Sequence, residues 1–187
     1  MKSLCALALT SLLAAACQTT ASNPPTPHKA APGTAEHAWL QQLVGEWRAN
    51  ARATMLADQA PITFESTERV RSLGGLWVLA EGNASMDGGQ FQSVMTVGYD
   101  PAKQSFVGSW IDTTTPVLWS YRGSLDGARK TLTLEAEGPD FHDPAKRANY
   151  RDQIELIDAD HKRMVSSVQN PDGSWTEFMR AEYVRAK

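Results

Sequence analysis

The sequence predicts an all-β domain: a ten-stranded antiparallel up-and-down barrel preceded by one short N-terminal helix. Three observations carry that prediction. From Trp47 onward, apolar and polar residues alternate with a period of two, as they do in strands that bury one face. Turn clusters (LGG, DGG, DPAKQ, TTTP, LDGARK, DADHK, NPDGS) interrupt the alternation at short intervals. No helical crossover separates the strands, so sequence neighbours pair antiparallel, and a meander this long closes best into a ring without free edges. A sandwich usually needs longer crossing connections than these.

In chain order, the first element is a leader over residues 1–16. MKSLCALALTSLLAAAC sets Lys2 before an apolar run from Leu4 to Leu13, too short to span a bilayer. Small residues follow up to Ala16, and then comes Cys17. The arrangement resembles a bacterial lipoprotein signal, which implies lipidation of Cys17 as the new N-terminus. Ala14 stands where that signal usually has leucine, and Leu13 lies one place earlier; ordinary cleavage after Ala14–Ala15–Ala16 is the alternative. Cys5 falls in the leader, so Cys17 is the only cysteine left after cleavage and has no internal disulfide partner. Acyl chains on it would hold the protein to a membrane through buried methylenes. Gln18 rather than aspartate follows, which by the same resemblance implies an outer-membrane lipoprotein facing the periplasm of the cell envelope.

Residues 17–35 then read as the lipidated cysteine and a flexible tether rich in Thr, Ala and Pro. Residues 36–187 form the barrel domain. Its helix spans about 36–43, where Trp39, Leu40, Leu43 and Val44 share a helical face before the chain stops at Gly45. The strands fall at about 46–55, 62–72, 76–86, 90–99, 105–113, 117–124, 131–137, 148–158, 162–170 and 174–184. One domain plus a leader suits 187 residues. A net charge of −3 without any basic run excludes a nucleic-acid footprint. Six tryptophans point to a large aromatic interior or an aromatic-lined site.

Two sets of residues carry a family resemblance. Gly45-Glu46-Trp47, opening the first strand after a short helix, resembles the Gly-x-Trp signature of lipocalin or calycin barrels. The likeness implies that Trp47 closes one barrel end beneath a cation of the last strand, Arg180 first and Arg185 second. The blocks RSLGGLWVLAEG, MTVGYDP, FVGSWIDTTTPVLWSYRGSLD, YRDQIEL and WTEFMRAEY are similar to the bacterial family called domain of unknown function 1579, over roughly residues 39–184. That resemblance implies a calycin-like barrel and adds little about chemistry.

Alternation assigns the inward faces. Trp47, Ala49, Ala51, Ala53 and Met55 share one on the first strand, and three small residues there leave interior space. Glu68 lies on the inward face of the second strand, Met95 and Tyr99 on that of the fourth, Trp110 and Asp112 on that of the fifth, and Asp152 on that of the eighth. Trp119 and Tyr121 oppose Leu118 and Arg122, so only one of these sets points in. On the tenth strand, Trp175, Glu177, Met179 and Tyr183 oppose Phe178, Arg180 and Val184, and neither set is preferred.

The candidate ligand-binding residues are therefore Trp110, Asp112, Tyr99, Met95, Trp119 or Tyr121, Glu68 and Arg122. A carboxylate on an apolar face needs a partner, so Asp112 reads either as a polar fixture of a pocket or as a cap on the turn TTTP. No nucleophile elbow, phosphate loop, HExxH or cysteine pair occurs. DFHDP (140–144) matches no standard metal spacing. Haem-binding nitrobindin-like barrels also begin with Gly-x-Trp, but this chain has Ala49 and Asn50 in place of their further glycines and no C-terminal histidine. No cofactor or metal is expected. Three classes of function remain: a binding protein for a small apolar or amphipathic molecule, an enzyme using pocket carboxylates, and a structural or accessory lipoprotein with a packed barrel.

Overall fold

The structure is a computed structural model that describes residues 33–54, 59–86 and 88–187. The leader, Cys17 and the tether up to residue 32 lie outside the described residues, as does Met55. Helix α1 (Ala35–Gln41) precedes ten strands: β1 (Gly45–Ala53), β2 (Ile62–Leu73), β3 (Trp77–Met86), β4 (Gly89–Asp100), β5 (Ser105–Asp112), β6 (Trp119–Leu125), β7 (Thr131–Pro139), β8 (Arg147–Leu156), β9 (His161–Gln169) and β10 (Trp175–Arg185). Each strand pairs antiparallel with the next, and β1 also pairs with β10, so the ring is closed. The all-β, ten-stranded, up-and-down barrel with its N-terminal helix is the architecture observed. Some boundaries move for local reasons. β8 stops at Leu156 rather than residue 158 because the Ile157 and Asp158 amides both donate to the His161 carbonyl in the turn.

The strands alternate as their sequence demands. β1 buries Trp47, Ala49, Ala51 and Ala53 and exposes the residues between them. The ambiguity on β10 is resolved by a β-bulge between Glu177 and Met179. Past the bulge, Ala181 and Tyr183 are buried, and Arg185 lies directly opposite Trp47. Directly opposed residues point to the same side of a sheet, so Arg185 shares the face of Trp47. Arg180 does not.

Helix α1 seals the Trp47 end. Trp39, Leu40 and Leu43 are buried with Trp47, Val78, Val97 and Phe106. The indole of Trp47 donates to the Leu43 carbonyl at 2.8 Å, and the Arg185 guanidinium lies 4.1 Å from the Trp47 ring centroid. Arg185 also donates to the carbonyls of Val44 (2.7 Å), Gln42 (3.1 Å) and Ala159 (2.9 Å). It thereby satisfies oxygens that the end of a short helix leaves without partners. Gly45 sits at φ +142°, and a Cβ there would overlap the guanidinium, so both backbone and packing call for glycine.

Arg180, the first choice from sequence for this role, instead lies opposite Arg52 on the outer face and pairs with Glu177 at 2.9 Å. Trp47→Ala should cost about 3–5 kcal/mol in urea unfolding, as large core truncations do. Arg185→Ala should cost at least ~2 kcal/mol, from the lost ring contact and charged hydrogen bonds. Arg180→Ala should stay within about 0.5 kcal/mol of wild type. Equal losses for the two arginines would contradict this assignment.

Candidate ligand cavity

The barrel is filled at one end and hollow at the other. Near Leu43, Val78 and Met95 the residual void is only about 10 Å³. Toward the end away from α1, the interior opens into a cavity of about 410 Å³. Ala51, Ala53, Ala84 and Ala136 supply short side chains to its walls, and Phe64, Phe91, Trp110, Trp119 and Phe178 are among its aromatic lining. Room for Trp119 comes from Gly138, where any Cβ would overlap the indole. Trp119 then meets Tyr150 edge to face at 5.0 Å.

Most of the residues singled out from sequence meet here. Trp110, Asp112, Trp119, Tyr121 and Glu68 all line the cavity. Asp112 serves the turn and the wall together. Its Oδ1 accepts from the Thr114 amide (2.7 Å), the Thr114 hydroxyl (2.5 Å) and the Thr115 amide (3.0 Å), while Oδ2 accepts from the Trp110 indole at 3.2 Å. The carboxylate caps the turn and fixes the tryptophan beside it.

Three of the expected positions fall elsewhere. Met95 faces inward but lies at the filled end. Tyr99 packs near α1 against His37 (ring centroids 5.8 Å apart) and Phe106 (5.2 Å), because its strand runs the full height of the barrel and Tyr99 is at the helix end. Arg122 is exposed on the outer face opposite Glu135, since the strand turns Trp119 and Tyr121 inward.

Asp152, Ser166, Phe141 and Phe178 join the site without having been singled out for it. Phe141 comes from the DFHDP loop. Asp140 Oδ1 accepts from the His142 amide (2.7 Å) and the Asp143 amide (3.0 Å), and these bonds hold its carboxyl below the usual range. The resulting tight turn sets Phe141 against Tyr150 and Phe178, both at 5.0 Å. Among the described residues no group of three His, Cys, Asp or Glu is placed to hold a metal.

The polar floor has two parts. Lys162 pairs with Glu68, and its ammonium lies 4.8 Å from the Trp47 ring centroid and 4.5 Å from that of Tyr183. This buried pair spans from β9 to β2, and Glu68 borders both the hollow and the filled regions. In the second part, Asp152 accepts hydrogen bonds from the Tyr121 hydroxyl and from the Ser166 hydroxyl (2.5 Å). Burial raises the Asp152 pKa, and the two hydroxyl donors offset that only in part. Burial, together with the Asp152 charge, holds the Tyr121 phenol well above its ordinary value. Tyr183 is raised likewise, by burial and then by Glu68 and Asp152. A wider concavity of about 750 Å³ lies outside, over β1, β2 and β10, but it is open to solvent and lined by mutually paired charges such as Arg180 and Glu177. Apolar walls of the kind found around small-molecule sites occur in the interior cavity instead.

The family model described as "Protein of unknown function (DUF1579)" matches residues 32–185, and the chain belongs to that family. No curated protein sequence matches it. Among solved structures, the S-type phycobiliprotein lyase CPES from Guillardia theta superposes with a TM-score of 0.53 at 11% identity, over 80% of this chain and 92% of that one. Rv2717c from M. tuberculosis superposes with a TM-score of 0.56 at 10% identity, over 82% of this chain and 99% of that one. At such identities the likeness is one of fold.

Asp152 makes stability depend on pH in a defined direction. Its folded-state pKa lies above the unfolded value, so its contribution is most favourable below about pH 4 and is lost as pH rises through the folded pKa. Asp152→Asn keeps the shape and removes the penalty. It should raise stability near pH 7 by about 1 kcal/mol, a Tm gain of roughly 2–4 °C for a chain this size, and the gain should vanish toward pH 3.5. A gain that grows on acidification would contradict the assignment.

Proposed function

We propose that this member of the DUF1579 family is a cell-envelope binding protein that holds one small apolar or amphipathic molecule inside its barrel. The observation that carries the reading is the hollow end. A cavity of about 410 Å³, walled by aromatic side chains and furnished with a few inward polar groups, has the size and character of small-molecule sites. A barrel serving only as a scaffold has no use for three alanines on the inner face of β1 or for a glycine that gives way to Trp119. Catalysis by paired cavity carboxylates is less well supported, because Glu68 is engaged by Lys162 and Asp112 by its turn, so Asp152 has no free second carboxylate to work with.

Native mass spectrometry of protein purified from its own host should reveal a retained molecule that is lost on unfolding. Ala51→Phe, which fills the cavity, should abolish the adduct while the chain stays folded. An adduct unaffected by that substitution would place the molecule elsewhere and sink the reading.

The address rests on the leader. Lys2, the short apolar run and the small residues before a lone Cys17 support cleavage after residue 16 and anchoring by lipid at the outer membrane, facing the periplasm. Cys17→Ser should release the protein into the soluble periplasmic fraction. Unchanged partitioning with membranes would overturn the anchor.

A further inference from the structure

We propose that Asp152 is the head-group acceptor of the cavity and that the molecule held there is an amphipathic base: an apolar or aromatic body bearing a protonated amine or comparable N–H donor. This rests on the binding reading above and specifies its ligand.

The charge of the cavity sets the class. Among the described residues, its lining includes three carboxylates, Glu68, Asp112 and Asp152, and no lysine, arginine or histidine. Glu68 is neutralised by Lys162. Asp112 is committed to its turn and to the Trp110 indole. Among the described residues, no cation pairs with Asp152. Its two hydroxyl partners, Tyr121 on β6 and Ser166 on β9, fill two of the roughly four acceptor positions that a carboxylate offers. The remaining capacity belongs to a group that lines a cavity of about 410 Å³. The other ionisable groups around this floor, Tyr183 of β10 and the Glu68–Lys162 pair, bring no free positive charge to it.

A buried carboxylate without a cation costs free energy that an incoming cation recovers. The walls favour the same ligand, since the aromatic residues Trp110, Trp119, Tyr150 and Phe178 line the space, and aromatic rings attract cations. An anionic head group meets the opposite situation. A fatty acid carboxylate would be desolvated beside Asp152 with no cation to receive it, and unpaired like charges at close range discriminate strongly against a ligand.

Three probes of one chain length separate this inference from the reading beneath it: decanol, decylamine and decanoate, titrated at pH 7 against the intrinsic tryptophan fluorescence of the full chain. Decanol reports the apolar cavity alone. Decylamine should bind at least about tenfold more tightly than decanol, and decanoate at least about tenfold more weakly. In Asp152→Asn the advantage of the amine over the alcohol should shrink to within about threefold. Decanol binding with no preference for the amine would overturn the base-binding inference and leave the cavity reading standing. An amine preference that survives in Asp152→Asn would overturn the role of Asp152. Failure of all three probes to bind would overturn both.

Discussion

The rest of the molecule depends on the closure of β1 against β10, locked by Arg185 over Trp47. A meander of ten strands becomes a barrel only when its first and last members pair, and the register of that pairing decides which face of each looks inward. Sliding β10 by one residue would carry Arg180 and Glu182 into the interior and Tyr183 out. Arg185 prevents this by joining four pieces at one point: the last strand that carries it, the indole of the first strand, the end of α1 through Gln42 and Val44, and the β8–β9 turn through Ala159. Gly45 leaves the guanidinium its space. The family likeness to Gly-x-Trp barrels thus has a physical content here, because each member of the motif is fixed by the others.

Firm closure at one end allows the other to remain hollow. The boundary is polar. Lys162 and Glu68 face each other beneath Trp47 and Tyr183, and beyond them the alanines of β1 and the glycine opposite Trp119 keep the interior open. Asp152 works against stability in that setting, since two hydroxyls are a weak substitute for water or for a cation. A sequence selected only for stability would place an uncharged residue there. Departures of this kind concentrate where a protein binds something.

The sequence made the architecture legible because alternation and turn chemistry are local, and this chain follows both almost everywhere. Height within the barrel is not local. Parity correctly turned Tyr99 and Met95 inward, but which end of the barrel each occupies depends on the stagger of ten strands, and both belong to the filled end. Parity also failed where the backbone breaks it: the bulge at Glu177–Met179 hid which face of β10 holds Arg180, so the latch fell to Arg185. Asp152 was on the inward face in plain view. Its significance appears only when β6 and β9 bring Tyr121 and Ser166 to it with no cation among the described residues. Phe141 was concealed by its loop, whose acidic residues suggest solvent while the Asp140 turn aims the ring toward the cavity.

The barrel is sealed at the helix end and hollow at the other. Titration with an uncharged apolar dye, N-phenyl-1-naphthylamine, tests it most directly, because the dye fluoresces only when withdrawn from water. A hollow end gives saturable binding of one dye per barrel, with energy transfer from the tryptophans of the cavity wall. That binding should be lost when Ala136→Phe fills the hollow end and should persist when Val78→Ala enlarges the sealed end. Absence of saturable binding, or binding indifferent to Ala136→Phe, would mean that the interior holds no usable cavity at that end.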